Sequence, residues 1–150
     1  MANWHIDPET LREVVDDREA LEQQLVKASP LDQVWMLRIL GRLSEAERIG
    51  REQLDAATDR WRPLLLLADV RRWQGSLDEA TSLQDEAAAL ADSPARRATT
   101  NQHIGKRLME SGDAEAAAEN FQRALDLREA VGAASDVIES SRAALRRARR

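Results

Sequence analysis

Three glycines set the frame of this chain. Gly41, Gly75 and Gly112 stand 34 and 37 residues apart, and Ala46, Ala80 and Ala117 keep the same two intervals. A glycine that ends one helix, followed by a small residue early in the next, describes a helical hairpin whose arms come close together. Two markers kept in step mean that the hairpin is repeated. A unit of this length cannot bury its apolar face alone, so several must stack and the ends must be capped. Composition agrees: Ala, Leu, Glu, Arg and Gln abound, with one Phe, no Tyr and few β-branched residues, which favours helix so strongly that no strand is expected. With 43% apolar and 33% charged residues, the 150 residues read as one domain, 1–150, with a real core.

The unit is clearest from His103 to Leu125. Small residues (Gly105, Ala117, Ala124) sit where two helices must approach, larger ones (Ile104, Leu108, Phe121, Leu125) fill between them, and Gly112-Asp113 breaks the run, with Asp113 placed to cap the second helix. Laid on the tetratricopeptide pattern, the match is Asn101-x2-Ile104-Gly105-x2-Leu108 followed by Ala117-x3-Phe121. It departs at the first aromatic, at the Tyr (Leu108) and at the closing Pro, where Glu129 stands. The chain resembles the tetratricopeptide repeat (TPR) family from about Ser29 to Val131.

In chain order, residues 1–6 form an arm carrying Trp4 and His5. Asp7-Pro8-Glu9 is an N-cap with Pro in the first turn, and Leu11, Val14, Val15, Leu21, Leu25 and Val26 make a helical stripe, so residues 7–28 are expected to be a capping helix. Repeat one spans 29–57, opened by Ser29-Pro30 and turned by Gly41, with the capping-box spacing Ser44 to Glu47; Gly50 and Gln53 make it degenerate. Repeat two spans 58–92, with Thr58 or Asp59 as cap and a second capping box from Ser76 to Glu79; Arg71 and Gln84 stand where the pattern wants Tyr and Phe. Repeat three spans 93–131 behind Ser93-Pro94, and residues 135–149 form a last helix that covers the end of the stack. The fold class is therefore all-α, and the resemblance implies a right-handed α-α superhelix of about three helix-turn-helix repeats with flanking capping helices.

The resemblance also implies where a ligand lies: on the concave wall built from the first helix of each repeat. Carried over residue by residue, the peptide-binding groove holds Trp35 and Arg38 from repeat one. Repeat two adds Arg62, Leu65, Asp69, Arg72 and Trp73, and repeat three adds Gln102, His103 and Lys106. Four cations in an acidic protein, beside two tryptophans and leucines, suit an extended or helical peptide with acidic and apolar residues. The same tryptophans could equally fill space between helices, and the cations could be solvated side chains paired with Asp69 or Glu110. The Lys/Asn set by which some members clamp the terminal carboxylate of heat-shock chaperone tails is missing, because its positions hold Leu31, Trp35, Leu66, Thr99 and His103.

Other function classes find little support. There is no cysteine, and the two histidines, His5 and His103, lack the spacing of a metal pair; no cofactor or metal is expected. No Gly-rich phosphate loop or nucleophile elbow occurs, so an enzyme is not expected. The N-terminus has no signal-like apolar run and nothing approaches a membrane span, which makes the cytoplasm the default. Net charge is −5, yet Arg142, Arg146, Arg147, Arg149 and Arg150 put +5 on the last ten residues. The acidic remainder disfavours nucleic acid, and a basic last turn also complements the helix dipole. The expected role is a non-catalytic scaffold for a protein or peptide partner. Alternatives are a self-association module forming homo-oligomers, or the helical-repeat portion of a larger signalling or transcriptional regulator.

Overall fold

A computed structural model describes residues 2–150. A short antiparallel hairpin, β1 (Trp4–Ile6) and β2 (Glu13–Val15), precedes eight helices: α1 (Arg18–Lys27), α2 (Pro30–Ile39), α3 (Leu43–Ala56), α4 (Trp61–Trp73), α5 (Leu77–Leu90), α6 (Pro94–Glu110), α7 (Ala114–Ala130) and α8 (Ser135–Ala148). Each helix from α2 to α8 packs on the next, and the even-numbered helices also touch one another: α2 on α4, α4 on α6, α6 on α8. A stack in which the even-numbered helices meet their counterparts more closely than the odd-numbered ones bends toward them. They form the inner wall, and α3, α5 and α7 the outer one.

The corners work as their glycines require. Gly75 has φ +84°, its N–H donates to Arg72 O at 3.0 Å and the Ser76 N–H to Arg71 O at 2.9 Å, which closes the helix with a left-handed residue that a side chain would strain. Gly41 and Gly112 repeat the arrangement. Ser29, Ser93 and Asp113 accept from backbone amides three residues on, as their positions suggest. The two capping boxes do not form. Ser44 lies inside α3, Ser76 makes no side-chain cap, and Glu47 and Glu79 turn instead to Arg51 and Arg71 at 2.7–3.1 Å, joining α3, α4 and α5. Bonding two charged partners across a helix junction outcompetes a cap on one exposed amide.

Close approach within the repeats is achieved by a different division of volume in each. In repeat three a side chain at Gly105 would stand 2.4 Å from the Phe121 ring. In repeat one the sizes are reversed, with Val34 on the first helix facing Gly50 on the second. In repeat two Gln84 replaces the Phe and is fully buried, its Oε1 accepting from Arg107 Nε at 2.6 Å. Gly50 is thus matched by Val34 across its own repeat, whereas Gln84 finds its partner on α6, outside its repeat.

The N-terminal segment does not fold as a helix over 7–28. Asp7 Oδ1 accepts from the Glu9 and Thr10 amides at 2.7 and 3.0 Å, and Asp7 and Arg12 pair through their backbones, so Asp7-Pro8 opens a turn and the helix begins only at Arg18, capped by Asp17. The turn and the N-cap use the same bonds from a carboxylate to amides two and three residues on; what decides is whether helical dihedrals follow. They do not, because Leu11 takes φ +59°. The expectation of no strand fails for the same reason: Trp4–Ile6 pairs with Glu13–Val15, whose valines suit extended backbone. α1 still covers the start of the stack, with Leu21 and Leu25 packed with Val34 and Leu37, and α8 covers the end, with Ala144 and Leu145 packed with Phe121 and Leu125.

Candidate functional site

The inner wall gathers the residues that the resemblance assigned to it. On α4, Arg62, Leu65, Asp69, Arg72 and Trp73 recur at intervals of three, four, three and one, which puts them along one side of the helix. Trp35 and Arg38 extend the row onto α2, and Gln102, His103 and Lys106 onto α6. Eight of the ten border one cavity of about 290 Å³; Arg72 and Trp73 border a second, of about 470 Å³, together with Thr10, Arg12 and Arg147.

Between the two cavities lies the hairpin. Trp4 meets Trp35 edge to face, with ring centroids 5.2 Å apart. Glu13 Oε2 accepts from Arg38 Nη1 at 2.8 Å, and Glu13 Oε1 stands 3.7 Å from Lys106 Nζ. Arg12 stacks 4.8 Å from the Trp73 centroid, as Arg38 also does, and its Nε donates to Glu110 at 2.8 Å. Leu11, 3% exposed, packs with Phe121, Leu125 and Leu145. At the loop, Arg147 Nε donates to the Glu9 carbonyl at 2.8 Å and Arg150 to the Glu9 carboxylate at 3.0 Å. The hairpin thus crosses the inner wall from α2 to α8.

The wall beneath it is a buried ion network. Arg38, Asp69 and Arg72 are at most 2% exposed and Lys106 is 8% exposed. Asp69 lies 3.2 Å from Arg72, 3.9 Å from Arg38 and 2.7 Å from His103 Nδ1, and Arg72 also reaches Glu110 at 2.8 Å. Burial disfavours each charge, and the neighbours decide the outcome. For Asp69, burial is outweighed by His103, Arg72 and Arg38, which hold its carboxyl well below the usual range. For Glu13, burial is likewise outweighed by Arg38 and Lys106, which bring it down to about 2. Lys106 is pushed below its usual value chiefly by burial, with Glu13 opposing. Arg38 Nε, Arg72 Nε, Trp73 Nε1 and Gln102 Nε2 are buried without an acceptor. The wall is short of acceptors.

The crystal structure of PcrH in complex with the chaperone binding region of PopD matches with a TM-score of 0.65 at 19% identity, covering 87% of this chain and 92% of that one. The fold is a TPR-like helical repeat. No family model matches the sequence, and no curated protein matches it significantly. Among the cations and tryptophans of the wall, Arg38, Arg72 and Lys106 are buried and Trp35 and Trp73 half-buried, and Arg72 pairs with Asp69 and Glu110. Only Arg62 is exposed, paired with Asp32 at 2.6 Å. Trp73 carries two guanidiniums, and Gln102 accepts from Ser141 of α8 at 2.8 Å.

Sequence reasoning missed Leu11, Arg12 and Glu13, because the helical stripe absorbed them. The signal that could have found them was the surplus of cations on the wall, which needs carboxylates from elsewhere in the chain. The five arginines of the tail all have partners in the protein, two of them in the hairpin loop. Among the described residues no helix is long and apolar enough to cross a membrane, and no group of His, Asp and Glu is arranged to hold a metal ion.

Proposed function

We propose that this chain is a non-catalytic scaffold that binds an extended segment of another protein along its inner wall. One observation carries the reading: the wall's buried donors, led by Arg38, Arg72 and Lys106 and including four N–H groups with no acceptor, outnumber the acceptors that the helices supply. An extended segment brings what such a wall lacks, since its backbone carbonyls and carboxylates are acceptors and its apolar side chains suit Trp35, Leu65 and Leu66. The cavity of about 290 Å³ at those residues is open to receive side chains. PcrH, which shares the fold, is seen with a region of PopD, which supports the same class of role. End-to-end self-association would need an uncovered end of the stack, and α1 and α8 lie over both.

The test is selection of displayed 12-residue peptides on the intact protein, followed by affinity measurement with Arg62→Glu/Leu66→Glu. Both positions lie on the wall outside the ion network. Selected peptides should lose at least tenfold in affinity; equal binding to both proteins would reject the inner wall as the site.

A further inference from the structure

We propose that the N-terminal hairpin is an intramolecular occupant of the binding wall, and that the partner replaces it by inserting an apolar side chain and, two residues later, a carboxylate, in the places of Leu11 and Glu13. The proposal rests on reading the inner wall as the binding surface, and adds the chemistry of what binds there.

Three observations lead to it. First, Glu13 is the carboxylate shared by Arg38 on α2, at 2.8 Å, and Lys106 on α6, at 3.7 Å. Beneath the hairpin the Arg38 and Lys106 side chains are 1% and 9% exposed, and without Glu13 Arg38 keeps only the longer approach to Asp69 at 3.9 Å while Lys106 loses its carboxylate. A carboxylate arriving as the hairpin leaves restores both pairs, which favours exchange over simple departure and defines the incoming charge.

Second, the apolar anchor is held under strain. Leu11 fills its site among Phe121, Leu125 and Leu145 with φ +59°, a left-handed conformation that strains a residue with a Cβ. A segment that reaches the same site through ordinary extended backbone does not carry that cost. The resident sequence is therefore a good enough ligand to keep the wall neutralised, and an improvable one.

Third, the hairpin can come away as a piece. Its strands are three residues each, too short to persist alone, and its attachment to the stack is a single chain crossing at Asp16-Asp17. Its remaining ties to the stack are side-chain contacts at its surface: Trp4 on Trp35, Arg12 on Glu110 and Trp73, and Arg147 and Arg150 to Glu9 at the loop. The cavities on either side of it are the parts of the wall that the hairpin leaves uncovered, where flanking residues of a longer segment would lie.

The experiment uses a fluorescein-labelled peptide carrying residues 3–16, added to the full-length chain and to two variants. Glu9→Ala/Arg147→Ala loosens the exposed loop without touching the core; Leu11→Ala/Glu13→Gln removes both anchors. Anisotropy should show at least tenfold tighter binding to each variant than to the parent, and a peptide bearing Glu13→Gln should bind at least tenfold more weakly than the native peptide. If the anchor variant fails to fold by circular dichroism, the loop variant alone decides. Equal binding by parent and loosened chain would overturn the proposal, as would light scattering showing that the hairpin docks into a second copy of the chain. Peptides selected on the parent that depend on Arg62 and Leu66 yet lack the apolar-x-acidic pattern would overturn the proposal while leaving the binding wall intact. Loss of dependence on Arg62 and Leu66 would reject the wall itself.

Discussion

The joint between α6 and α7 and the joint between the hairpin and the inner wall are both buried, and they are built on opposite principles. Between α6 and α7, Gly105 admits Phe121 to within contact of the backbone, and both Phe121 and Ala117 are fully buried. That joint is shape: apolar, solvent-free and indifferent to pH. Between hairpin and wall the contacts are Glu13 with Arg38 and Lys106, Arg12 with Glu110 and Trp73, and one apolar anchor, Leu11. Charges taken out of water gain little over what they lose, but removing one partner is costly. The stack should therefore be hard to take apart at all, and the hairpin hard to remove but easy to exchange.

That contrast can be broken most severely at Phe121. Phe121→Ala empties the joint of its one large ring and should lower global stability by about 4 kcal/mol in urea unfolding, with every helix reporting the same loss. Glu13→Ala should cost about 3 kcal/mol, but locally: hydrogen exchange should accelerate in residues 4–15 while α6 and α7 amides stay protected. A uniform acceleration would mean that the hairpin is part of the stack's cooperative unit.

Acid should act on the second joint through the same carboxylate. Glu13 is held at about 2 against an ordinary 4.5, so its contribution is complete above about pH 4.5 and is lost as pH falls through about 2. The depression corresponds to on the order of 3 kcal/mol. Tryptophan fluorescence, with Trp73 under Arg12, should change across that window in the parent and stay flatter in Glu13→Gln. The smaller effects sharpen the shape side. Gly50→Ala brings a Cβ 3.2 Å from the flexible Leu67 Cδ1 while improving helix propensity, so thermal unfolding should move by less than about 1 kcal/mol. Gly105→Ala, aimed at a ring 2.4 Å away, should be clearly worse than Gly50→Ala. Arg142→Ala breaks only an exposed pair with Glu129 and should shift stability by less than about 0.5 kcal/mol.

Much of the stack is legible in the residues because its rules are local. A glycine at a helix end and a small residue in the next helix carry their meaning at a spacing of a few residues, and Gly41, Gly75 and Gly112 close their helices as that spacing predicts. Which residues share a side of α4 was implied by the resemblance to the repeat family, and the helical spacing of Arg62, Leu65, Asp69, Arg72 and Trp73 is consistent with it. The capping boxes misled because Glu47 and Glu79 had better partners in Arg51 and Arg71, which only the meeting of three helices reveals.

What the sequence determined by itself was the repeat, its period and its corners, all consequences of short-range periodicity; the inward face of α2, α4 and α6 came from the resemblance to the repeat family. What only the tertiary structure decided was the fate of residues 3–16. Asp7-Pro8 obeys the same hydrogen-bond chemistry in a turn as at a helix start, and Leu11-Val14-Val15 satisfies a helical stripe as readily as a hairpin. The choice was made at long range, by Arg38 and Lys106 demanding a carboxylate and by Phe121, Leu125 and Leu145 offering Leu11 a place. Buried charge that needs neutralising does not declare in the sequence which acid, or whose, will supply it.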